Sequence, residues 1–61
     1  MRIMFFGDVM GRAGRSAIIN ELRNLRSNHD ADFVIINAEN ASSGLGLSAQ
    51  HAMDILSAGA D

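Results

Sequence analysis

The sequence predicts an α/β fold of order β–α–β–α with parallel strands, and three observations predict it. Two short apolar runs, one around Ile3–Met4–Phe5–Phe6 and one around Phe33–Val34–Ile35–Ile36, are continuous rather than alternating, which suits parallel strands covered on both faces. Each run opens into a loop of glycines or small residues, and each loop leads into a stretch with helical periodicity. The link between the runs is long enough for a crossover helix, which makes the strands parallel and leaves both following loops at one edge of the sheet.

In chain order, the first strand is Ile3 to Phe6, closed by Gly7. Gly7, Gly11 and Gly14 punctuate the next stretch, so residues 7–13 read as a tight loop. A helix is expected from Ala13 or Gly14 to about Asn28. Ile18, Leu22 and Leu25 recur at helical spacing with Ile19 beside them, while Asn20, Glu21, Arg23 and Asn24 face out. Arg23 and Arg26 lie near its end, where the helix dipole favours cations. Ser27–Asn28–His29–Asp30 is a turn cluster, and the second strand is expected from about Asp32 to Asn37. After a small-residue loop, Ala41 to Gly46, Ser48 is placed to cap a second helix with Ala49, Ala52, Met53 and Leu56 at helical spacing. Gly59 is a C-terminal stop, and Asp61 stands where a third strand is expected to begin.

A chain of 61 residues without cysteine has no disulfide to lean on. At that size only ~60% of the unfolded surface is buried, so stability is marginal without a metal or a partner. Two strands and two helices cannot close a core, and open strand edges need neighbours. Residues 1–61 are therefore expected to be an N-terminal part of a single larger α/β domain. The residues are 48% apolar and 20% charged, which excludes a disordered tail. A net charge of −2 argues against a nucleic-acid surface. No apolar run approaches the roughly 18 residues of a membrane span, and Met1–Arg2–Ile3 runs directly into a strand without a signal-peptide layout. A cytoplasmic location is the default, and homo-oligomerisation is left open.

Two motifs carry chemistry. Asn37–Ala38–Glu39–Asn40 ends the second strand with a carboxylate between two carboxamides, and Asp8 holds the matching place after the first. Adjacent strands lie about 4.8 Å apart, so Asp8 and Glu39 can meet on one cation; without one, two acids at one edge repel. Plainer readings stand beside this. Asp8 could cap backbone amides at a strand-to-helix turn or serve as a phosphoacceptor, although Met10 stands where Asp-nucleophile phosphatases carry a second Asp. The asparagines could shape an Asx-turn network, Asn37 above all. Gly7, Gly11 and Gly14 with Glu39 also resemble a loosened Rossmann-type dinucleotide fingerprint, but G-x-G-x-x-G spacing is absent and Asp8 sits where a pyrophosphate would lie. Arg12 or Arg15 could meet a substrate phosphate, with a solvated surface arginine as the plainer account; His29 and His51 read as surface residues.

At these motifs the sequence resembles the YmdB-type metallophosphoesterases, a bacterial family of calcineurin-like phosphodiesterases. The resemblance runs through Gly7–Asp8–Val9 with Gly11, Gly14 and Arg15, then Asp32–Phe33–Val34, Asn37 to Ala41, Gly44 and Gly46, and on to Ala58–Gly59. It implies an α/β–β–α metallophosphoesterase sandwich several times longer than this chain. It implies that Asp8 and Asn40 bind one metal and that Glu39 bridges it to a second, iron or manganese. The implied substrates are small cyclic nucleotides, 2′,3′-cyclic ones above all. The family's further site residues, a Gly-Asn-His motif and later histidines that include the proton donor, are not in these residues, so no catalytic residue is assigned here. In two-metal chemistry, cations about 3.5–4 Å apart activate a bridging water for in-line attack on phosphorus and neutralise charge on the phosphoryl oxygens.

Overall fold

The computed structural model describes residues 1–42 and 46–61. Ser43, Gly44 and Leu45, part of the expected small-residue loop, lie outside the described residues. The order is β1 (Ile3–Phe6), α1 (Gly11–Asn28), β2 (Phe33–Ile36) and α2 (Ala49–Ala58). The strands pair in parallel, with Ile3 opposite Phe33 and Phe6 opposite Ile36. The α/β reading and the strand direction hold.

The first helix begins earlier than its glycines suggest. The Gly14 amide already donates to the Met10 carbonyl, so the β1–α1 loop is only residues 7–10. Gly14 is a packing residue inside the helix rather than its start. A Cβ there would lie 3.3 Å from both the carbonyl carbon and the Cγ1 of Val9, so its bare backbone lets α1 press against the loop. The second strand is shorter than expected by one residue at each end. Ser48 caps α2 as its sequence position implies, accepting from the His51 amide at 3.2 Å. Gly59 ends that helix at φ 126°, in the region that favours glycine.

The core lies between one face of the sheet and the two helices. Ile18 and Leu22 of α1, Val34 of β2, and Ile55 and Ala58 of α2 are buried, joined by Val9 and Ala41 from the two loops. Ile19 faces out. The buried stripe of α2 is Ile55 and Ala58 with Ala52 beside them, not the expected Ala49, Ala52, Met53 and Leu56: Met53 and Leu56 are 62% and 53% exposed. Small residues on that stripe let α2 approach α1, and Leu22 lies 3.9 Å from where a Cβ of Gly59 would be.

Among the described residues one face of the sheet is covered. Met4, Phe6, Val34 and Ile36 pack inward, whereas Ile3, Phe5, Phe33 and Ile35 are exposed. Both helices use the same side, because each must bury its stripe against Val34 and against the other helix. Beside β2 an open apolar groove of about 380 Å³ is lined by β2, Leu47, Ile55, Leu56 and Asp61. At its end Asp61 lies along β2: its amide donates to the Val34 carbonyl at 2.9 Å, and its carboxylate accepts from the Val34 amide at 2.9 Å. Arg26 holds that turn. It pairs with Asp61 at 2.7 Å and donates to the carbonyls of Gly59 and Asp32, so it does more than offset a helix dipole.

Among the described residues only Leu22 and Val34 are large side chains with full burial, a small return against the entropy of ordering the chain. The 61 residues alone are therefore expected to unfold in a broad, non-cooperative transition by scanning calorimetry. A sharp two-state peak would contradict this.

Candidate metal centre

Both β–α loops leave the same edge of the sheet and are laced together by backbone hydrogen bonds. The Asn37 amide donates to the Phe6 carbonyl at 2.9 Å, which carries the parallel pairing past β2. The Val9 amide then donates to the Asn37 carbonyl at 3.0 Å, and the Gly11 amide to the Asn40 carbonyl at 3.0 Å. Buried Val9 and Ala41 anchor the two loops into the core from beneath.

Between them stand the residues singled out in the sequence. Asp8 has φ 53°, a left-handed backbone that Asp tolerates better than most residues. Its side chain is exposed, and its Oδ1 accepts from Asn40 Nδ2 at 3.4 Å. Asp8 does not cap α1: the cap position is Met10, without a side-chain bond to the helix amides. The capping account of Asp8 thus loses its support. Asn37 makes the Asx-type contact expected of it, accepting from the Glu39 amide at 3.3 Å, and so fixes the backbone that presents exposed Glu39.

The donor set is hard: two carboxylates and a carboxamide, all oxygen chemistry suited to divalent cations. It fits one side of a cation site. Among the described residues no group of three or more His, Cys, Asp and Glu side chains is gathered to hold a metal. Neither histidine extends the donor set. His29 follows α1 at the opposite edge of the sheet, where its carbonyl accepts from Arg2.

His51 is not the surface residue expected. It is half-buried, and its Nδ1 lies 2.6 Å from Ser42 Oγ, which also accepts from the Ser48 amide at 2.9 Å. Arg15 likewise departs from the solvated reading. It is half-buried and donates from Nη1 to the Ala41 carbonyl. Arg15 lies four residues after Gly11 on the same helix face, which faces the neighbouring loop. Arg12 is exposed on the first turn of α1.

A family model described as YmdB-like protein matches residues 4–61. A Mycoplasma pneumoniae protein named putative phosphatase/phosphodiesterase is 51% identical over 51 residues, 84% of this chain and 18% of that protein. A Bacillus subtilis 2′,3′-cyclic-nucleotide 2′-phosphodiesterase is 39% identical over the whole chain and 23% of its own length. The crystal structure of a Mycoplasma pneumoniae protein described as a novel phosphatase superposes with a TM-score of 0.90 at 48% identity, over 95% of this chain and 21% of that one. The chain spans about a fifth of the length of the curated relatives it matches.

Proposed function

The chain belongs to the YmdB-like protein family, and from that premise we propose that it forms part of a longer, metal-dependent phosphodiesterase acting on small cyclic nucleotides, 2′,3′-cyclic ones first. The observation that carries this reading is the lacing of the two strand-end loops, with Asn40 reaching Asp8 at 3.4 Å and Asp8 left free of any helix-capping duty. The name of the Bacillus subtilis relative supports the substrate class.

In this reading Asp8, Asn40 and Glu39 would hold the cations. Iron or manganese, when bound, supplies an activated water and neutralises charge on the phosphoryl oxygens. The chain's own contribution is positional. Asn37 fixes the peptide that carries Glu39, and Gly11 fixes the carbonyl of Asn40. Exposed Arg12 is the candidate contact for substrate phosphate. The remaining ligands and the proton donor come from the rest of the longer protein, because His51 is engaged with Ser42 and His29 lies at the far edge. Among the described residues no helix is long and apolar enough to cross a membrane, and we place the protein in the cytoplasm.

A Rossmann-type nucleotide-binding module is the second reading. The geometry disfavours it at two points: the Gly11 amide, the first of α1, is already given to Asn40, and Gly14 is closed off by Val9, so neither is free for a pyrophosphate.

The test is elemental analysis of the full-length protein with turnover on 2′,3′-cyclic AMP and 3′,5′-cyclic AMP. Near two transition-metal ions per chain and metal-dependent opening of the 2′,3′ ring are expected. Binding of a dinucleotide by metal-free protein with no hydrolysis would hand the case to the second reading.

A further inference from the structure

We propose that Arg15 is a positioning residue for the metal-binding loop, holding the Glu39–Asn40–Ala41 backbone from behind without touching a cation; this rests on the metal-site reading above. Two consecutive carbonyls of that loop are taken by α1. The Asn40 carbonyl accepts from the Gly11 amide at 3.0 Å, and the Ala41 carbonyl accepts from Arg15 Nη1. Gly11 thus fixes the peptide that follows Asn40 and Arg15 fixes the next one, so α1 holds the chain on the C-terminal side of Asn40, whose side chain reaches Asp8. Ala41 is fully buried and cannot swing outward to meet water, so its carbonyl depends on a partner inside the protein. A charged donor in a half-buried place makes a stronger bond than a neutral one. Arg15 also has its base on the helix that Gly14 presses against Val9, the neighbour of Asp8. The same element thereby sets both ligand loops. Groups that orient metal ligands without binding the metal typically govern about 10–100-fold in affinity.

The test uses Mn²⁺ as the probe in the full-length protein, with affinity by titration and the electron paramagnetic resonance spectrum of the bound ion. Arg15→Met keeps the stem and removes the donor; it is expected to weaken Mn²⁺ binding by about tenfold and to alter the spectrum. Arg15→Lys, which restores a charged donor, is expected to recover most of that loss. Arg23→Met removes the same charge farther along α1, where Arg23 serves the Ser57 carbonyl, and is expected to leave Mn²⁺ binding unchanged. Should Arg15→Met fail to fold, Arg15→Gln, whose amide is too short to span the gap, is measured in its place and the same ratio decides. Wild-type affinity in the donor-less variant, with binding still lost in Glu39→Ala, overturns the positioning role and leaves the metal site standing. Wild-type protein that takes up no Mn²⁺ removes both.

Discussion

Replacing Glu39 by alanine in the full-length protein is expected to lower its transition-metal content from near two per chain to one or none, and to abolish diesterase turnover with it. Glu39 is the one residue of the set that the family resemblance assigns to both cations, and its exposed side chain has no structural bond among the described residues to lose. A direct ligand should cost more than the about 10–100-fold typical of groups behind the ligands. The backbone reason for the loop's shape, the Asn37 contact to the Glu39 amide, survives the substitution. The variant should therefore fold with an unchanged circular dichroism spectrum. Metal content equal to wild type, measured by mass spectrometry of the purified variant, would dismantle the site.

The second large effect is one of stability alone. Leu22→Ala in the full-length protein is expected to cost about 2–5 kcal/mol in urea unfolding, the usual range for a fully buried leucine. Leu22 has no exposed surface and lies where α1 meets α2 beside Gly59. Below its unfolding midpoint the variant should keep its full metal complement, since Leu22 sits at the Gly59 end of the core, about three helical turns from Gly11. Loss of metal from a still-folded variant would mean that the helix interface and the site are coupled more tightly than their separate contacts indicate.

The parts of the fold legible in the sequence were those set by local chemistry. Continuous apolar runs marked both strands, Ser48 and Gly59 marked the ends of α2, and the Ile18 and Leu22 spacing marked the buried stripe of α1. Burial that depends on which neighbour is present was harder to see. Met53 and Leu56 offer more apolar surface than the alanines that turned inward, yet Ala52 and Ala58 lie beside Ile55 at the interface, where small side chains allow the closer approach. The continuous apolar strands suggested cover on two faces, of which the described residues supply one. The candidate site divides the same way. Asp8, Glu39 and Asn40 could be named from their places after the strands, and Asn37 was anticipated in its Asx-type role. The supporting contacts of Arg15 with Ala41 and of His51 with Ser42 span 26 and 9 residues. Such pairings arise from how the loops lie together and not from either partner's neighbours in sequence.

The lacing of the two loops has a consequence for anyone who would re-engineer this protein. Because Val9 answers to Asn37, and Gly11 and Arg15 to Asn40 and Ala41, neither loop is an independent cassette. Grafting a foreign turn into one would misalign its twin, and paired changes would show non-additive effects of the kind seen between residues in direct contact. The practical unit of exchange is both turns together with the opening of α1, moved as a single block.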